Sequence, residues 1–201
     1  MKSSIYFLFF FILCSNSFAQ ETSDSPKAFK PFVVYRDKGF HNRFIPSGYM
    51  PNGECLKMDD AWRDNCREWK SCIKIVYDVA CSARSRHWVG IYWLSPADNW
   101  GDRKGGYNLK GATKLVFWAR GENGGEKIAE FRIGGVGQGR DYPDSDTASI
   151  GPVILSKQWK EYEINLTDKD LSYISGGFAW TANVDDNPTA CTFYLGDIRY
   201  E

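Results

Sequence analysis

Residues 113–134 place the tightest constraint on the fold. They read TKLVFWAR (113–120), a Gly-rich connection GENGGEK (121–127) and IAEFRIG (128–134). Side chains along a strand alternate between two faces. On that period Leu115, Phe117 and Ala119 share one face, and Trp118 and Arg120 share the other. Phe131 and Ile133 likewise oppose Glu130 and Arg132. Such segments belong in a sheet with one side packed on a core and the other reached by water. Read as a hairpin-like pair, they gather Trp118, Arg120, Glu130 and Arg132 on one outward surface.

The same pattern recurs along the chain. Phe32–Tyr35 reads as a first strand, and Ile73, Ile75, Tyr77 and Val79 alternate with polar neighbours. WVGIYW (88–93) is apolar on both faces and reads as central, with Val89, Ile91 and Trp93 opposite Trp88 and Tyr92. Further strands are expected near 150–155, 159–166, 176–182 and 192–200. Gly, Pro, Asn and Asp clusters separate them. Residues 37–71 are irregular, with one helical turn considered at 59–69 and another at 167–171. Eight or more short strands at such spacing predict an all-β sandwich or barrel. The Gly134–Gly139 run lacks the spacing of a phosphate-binding loop and reads as a turn that needs positive φ.

The first residues bear on compartment. A basic start, an unbroken apolar run Ile5–Leu13 and the small residues Ser17 and Ala19 match a secretory signal cut after Ala19. The apolar run is too short to span a bilayer. Residues 20–31 read as a flexible lead-in and 32–201 as one domain. The protein is expected to be secreted, periplasmic or held at the cell surface. Removing the signal leaves five cysteines, Cys55, Cys66, Cys72, Cys81 and Cys191. In an oxidising compartment this predicts two bridges and one buried free thiol. Cys55 and Cys66 flank a polar loop and read as partners; the second bridge would join two of Cys72, Cys81 and Cys191. Lys plus Arg and Asp plus Glu each number 25, with no dense basic stretch. That gives no argument for a nucleic-acid or anionic-membrane partner.

Outward Trp118, Arg120, Glu130 and Arg132, joined by Trp88, Tyr92 and Trp180, have the chemistry of a sugar-binding surface. A flat ring covers the apolar face of a pyranose, while guanidinium and carboxylate groups bond its hydroxyls. Taken singly, each charged residue fits a solvated sheet face with cross-strand ion pairs. Glu161 and Glu163 sit about 7 Å apart on one strand face. That overlaps the spacing of about 6.5–9.5 Å in inverting glycosidases, although one strand cannot flank a scissile bond without a cleft. Asp141, Asp144 and Asp146 miss the EF-hand spacing.

The segments 88–135, 154–183 and 192–201 resemble a family of secreted domains similar to the galactose-binding-like jelly rolls, which include many carbohydrate-binding modules. The resemblance spans most of 32–201 and is most specific between Asn99 and Gly125. It implies a two-sheet antiparallel jelly roll with a ligand groove on one sheet or at the loop ends. It also implies a structural calcium near the first and last strands, with Asp197 matching the second acid of the usual pair. Gly196 replaces the first acid, and Asp37 is a candidate partner. The expected function is non-catalytic binding of a glycan, a β-linked polysaccharide, with no cofactor beyond that calcium. Two other classes compete: a jelly-roll glycoside hydrolase or polysaccharide lyase, and a structural or adhesive surface domain with a protein partner.

Overall fold

The computed structural model describes residues 28–51, 53–84 and 86–201. The signal segment and most of the lead-in lie outside the described residues. The strands are β1 (Phe32–Tyr35), β2 (Ile45–Met50), β3 (Leu56–Trp62), β4 (Cys72–Tyr77), β5 (Trp88–Leu94), β6 (Lys114–Gly121) and β7 (Lys127–Ile128). They continue with β8 (Glu130–Gly134), β9 (Thr147–Ile150), β10 (Val153–Ile154), β11 (Lys160–Asn165), β12 (Gly176–Asn183) and β13 (Cys191–Tyr200). One short helix, α1 (Val79–Ala83), follows β4.

Two large antiparallel sheets face each other, and β7 and β10 pair separately as a two-stranded ribbon. Sheet A runs β11-β6-β13-β4-β3, with β1 also paired to β13. Sheet B runs β2-β5-β12-β8-β9. Strand β13 changes partner at an irregularity beyond Gly196, where Asp197 adopts φ +46°. Residues 191–195 pair with β4, and the end of the strand pairs with β1. Antiparallel sheets packed face to face bury their inward residues in one layer. Here Leu115, Phe117, Ile75, Phe193 and Leu195 from sheet A meet Ile91, Trp93, Phe131, Phe178 and Trp180 from sheet B in one buried cluster. Phe117 and Phe131 touch across it, with ring centroids 4.6 Å apart. Among the described residues no helix is long and apolar enough to cross a membrane.

Three expectations need correction. Segments 113–120 and 128–134 are not a hairpin. β6 pairs with β11 and β13, while β8 pairs with β12 and β9, so the connection between them crosses from one sheet to the other. Their inward faces meet, as alternation requires, and their outward faces point to opposite sides of the sandwich. Trp180 lies opposite Ile91 and Phe131 in register, so it turns into the core and is fully buried against Phe193. The bridges are Cys55–Cys81 and Cys66–Cys72, not Cys55–Cys66. The β3–β4 register sets Leu56 against Tyr77, which brings Cys55 beside Asp78 and the start of α1, where Cys81 sits. The same register sets Trp62 against Cys72, so the loop between them closes through Cys66. Two bridges and a buried free thiol do result. Burial pushes the Cys191 thiol up to about 12, so it stays protonated.

Smaller differences are local. The tract 37–71 holds the strands β2 and β3, and residues 59–62 are strand rather than helix. Residues 167–168 form a turn. Val79 begins α1 rather than ending β4, because the Asp78 side chain accepts a hydrogen bond from the Cys81 N–H and caps it.

Candidate functional site

The outward face of sheet B is built in cross-strand rows. One row runs Gly48, Tyr92, Ala179, Arg132, Ser149 across β2, β5, β12, β8 and β9. The next runs Met50, Gly90, Thr181, Glu130. Trp88 stands one step further along β5, opposite Asn183. Small residues at the centre and long ones around them leave a recess of about 160 Å³. Trp88, Tyr92, Glu130, Arg132 and Met50 line it, with Ala179 and Thr181 as floor. Glycine is needed at Gly90: a Cβ there would lie 2.6 Å from the Trp180 carbonyl oxygen and 2.9 Å from Met50 and Thr181 atoms.

The polar groups are held in place. Arg132 Nη2 donates to Glu130 Oε1 at 3.0 Å. Tyr92 Oη donates to the Gly134 carbonyl at 3.1 Å. Burial raises the Tyr92 phenol, and the nearby Arg132 only partly offsets this, so the phenol remains neutral. Burial works against the Arg132 charge, but a hydrogen bond to Tyr92 and the Glu130 carboxylate outweigh it, and the Arg132 pKa is raised. Arg132 Nε has no hydrogen-bond partner in the protein. Trp88 is 37% exposed, while Tyr92 is 5% exposed.

Two loops pack against Tyr92 beside the recess, and alternation could not reveal them. Trp100 packs edge-on against Tyr92, with ring centroids 5.8 Å apart. Its loop is organised by buried Asn99, whose amide donates to the Arg103 carbonyl and accepts from the Gly101 and Arg103 N–H groups. The second loop, 134–146, is pinned by buried Asp144. That carboxylate accepts from the N–H of Val136, Ser175 and Gly176 and from the Ser175 hydroxyl. Burial raises the Asp144 pKa despite those four donors. Val136 then packs with Tyr92, Leu94 and Ala179.

The outward face of sheet A carries the other expected residues. Trp118 and Arg120 stand there, away from Arg132 and joined by Trp62, Trp69, Trp159 and Tyr194, in a lattice of rings and cations. Arg67 lies 3.8 Å over the Trp118 ring, Lys74 3.9 Å over Trp62, and Arg120 3.7 Å over Tyr194. Trp69 stands edge-on to Trp118 and Trp159, at 6.5 and 5.5 Å. It covers Gly196, where a Cβ would come within 2.4 Å of its ring. Trp159 Nε1 donates to the Asn65 carbonyl at 2.8 Å. The Cys66–Cys72 bridge thus clasps the 62–72 segment over this face.

The remaining candidates are engaged elsewhere. Asp197 pairs with Arg199 and lies 3.5 Å from Arg36. Asp37 accepts from the Gly39 N–H at 2.9 Å. Among the described residues no three His, Cys, Asp or Glu side chains group as a metal site. Glu163 faces Lys114 at 3.7 Å and Glu161 faces Arg199 at 3.9 Å, an exposed ion-pair edge and not a cleft.

No protein-family model matches the chain, and no curated protein matches its sequence. Solved structures match its shape. A family 30 carbohydrate-binding module aligns over 86% of this chain and 98% of its own, with a TM-score of 0.54 and 14% identity. Another structure of a family 30 module gives 85%, 87%, 0.52 and 14% for the same four quantities. A point mutant of a family 29 carbohydrate-binding module aligns over 86% of this chain and 91% of its own, with a TM-score of 0.50 and 8% identity. At such identities the likeness is one of fold. The chain has the jelly-roll β-sandwich fold of carbohydrate-binding modules.

Proposed function

We propose that the protein is a secreted, non-catalytic domain that binds a glycan, a β-linked polysaccharide, on the outward face of sheet B. The observation that carries this reading is the cross-strand register. It surrounds a recess floored by small residues with an exposed indole, a buried phenol and a guanidinium–carboxylate pair. A pyranose ring laid on Trp88 would bury its apolar face, and Arg132 and Glu130 would exchange hydrogen bonds with its hydroxyls. Arg132 Nε is a donor still to be satisfied. The matched solved structures are named as carbohydrate-binding modules, which supports the same reading. Two disulfides favour an oxidising compartment.

Affinity electrophoresis through gels holding soluble β-glucans, xylan or mannan tests it. The protein should be retarded by at least one polymer, and Trp88→Ala should be retarded clearly less, with an unchanged far-UV spectrum. Equal retardation of that variant removes Trp88 from the site. Release of reducing sugar, abolished in Glu130→Gln, would replace the reading with a hydrolase.

A further inference from the structure

The clasp over sheet A is not closed along its whole length. At the end away from Trp118 the surface opens into a recess of about 360 Å³, within the range of small-molecule sites. Arg120 lines it, with a side chain only 7% exposed. Its Nη1 donates to the Gly121 carbonyl at 3.2 Å and lies 3.7 Å from Glu122 Oε2, while its Nε has no partner. A buried guanidinium donor left unpaired costs free energy unless a bound group satisfies it or its neighbours rearrange around one.

The surroundings are preorganised. The Tyr194 ring supports Arg120, and its hydroxyl donates to Glu122 Oε2 at 2.7 Å, which fixes the carboxylate at the rim. Burial, and then the Glu122 bond, push the Tyr194 phenol up to about 12, so it stays a donor. Half-buried Trp62, with Lys74 3.9 Å over one face of its ring, supplies an indole edge and a second face, and its Nε1 is already committed to the Asp64 carbonyl. Lys157, Asp64, Asn65 and Asn123 complete the wall.

The charges along this wall balance: Arg120 and Lys157 against Glu122 and Asp64. A carboxylate or phosphate ligand would meet two like charges, and an ammonium two others. Hydroxyl groups both donate and accept, so they can serve all four. We infer that this recess is a second saccharide site, for a neutral sugar, on the opposite side of the sandwich from the sheet B groove. Two such sites let one domain hold two glycan segments at once, which raises avidity without any further contact.

Calorimetric titration of the purified protein with cello-, xylo- and manno-hexaose decides this. The expected result is two bound equivalents for at least one sugar, one in Trp88→Ala, one in Trp62→Ala and none in the double variant. Lys157→Ala, on the exposed rim, should weaken only the second equivalent and keeps the test valid if Trp62→Ala folds poorly. A single equivalent lost in Trp88→Ala and unchanged in Lys157→Ala overturns the second site and leaves the first standing. A single equivalent that survives Trp88→Ala and weakens in Lys157→Ala supports the second site and removes the first. No binding to any of the three sugars overturns both.

Discussion

On the outward face of sheet B, Gly48, Gly90, Ala179 and Thr181 keep the middle of the surface low, and Trp88, Tyr92 and Arg132 rise around it. On the outward face of sheet A, Trp62, Trp69, Trp118 and Trp159 are already occupied by Arg67, Lys74, Arg120 and one another. Both faces alternate aromatic and charged residues against a core side, and both include an arginine. They differ in what lies beside the rings. Small neighbours leave a ring available to a ligand, whereas a bridged loop turns the same residue types into a structural clasp, open only where Arg120 reaches its edge. Aromatic and charged residues on a strand therefore identify an outward face without revealing whether it is free.

The largest test concerns a ring that belongs to neither face. Trp180→Ala should cost about 3–5 kcal/mol of stability, because it empties the packed centre between the sheets. Urea unfolding monitored by circular dichroism checks this, and a loss under about 1 kcal/mol would mean the indole is not in the core. Next comes the clasp. Replacing Cys66 and Cys72 together by serine should cost about 2 kcal/mol, as the closed loop is short. Tryptophan emission should shift to the red as the 62–72 segment loosens, while retardation by glycans through the sheet B groove persists. Loss of that retardation would show that the two faces are not independent.

Arg132→Gln sharpens the contrast from the other side. It should lower glycan affinity about tenfold, worth about 1.4 kcal/mol, and move the thermal midpoint by only a few degrees. A large loss of stability with unchanged affinity would assign Arg132 to the framework. The smallest effect is expected at Arg67, an exposed side chain over Trp118. Arg67→Ala should cost about 0.5–1 kcal/mol, the worth of an exposed cation–π contact, with glycan binding unaffected. If binding fell instead, the Trp118 surface would be functional after all.

Much of this fold is legible in the chain. Period-two alternation identifies the inward residues of β5, β6 and β8 correctly, since one face of each must leave water. Positive φ at Gly134, Gly135, Gly137 and Gly139 agrees with the turn expected there. The site is legible in part. Trp88, Tyr92, Glu130 and Arg132 do meet, but alternation does not point to Trp100 or Met50. One lies in a loop fixed by Asn99, and the other in an edge strand broken by Pro46 and Gly48 that carries little alternation. β3 was hidden for a similar reason, with Asp60 standing where the alternation begun by Leu56 and Met58 would place an apolar residue.

Local alternation settles which way each side chain turns relative to its own strand, because that depends only on backbone geometry and the need to bury apolar area. It is silent on which strands become neighbours. The assignment of β6 to one sheet and β8 to the other came from long-range pairing, and it separated Trp118 and Arg120 from Glu130 and Arg132. The same pairing turned Trp180 inward and brought Cys55 to Cys81. Hydrogen-bond ladders between distant segments are chosen by how the two sheets together cover one core, and that choice exists only once the whole chain has folded.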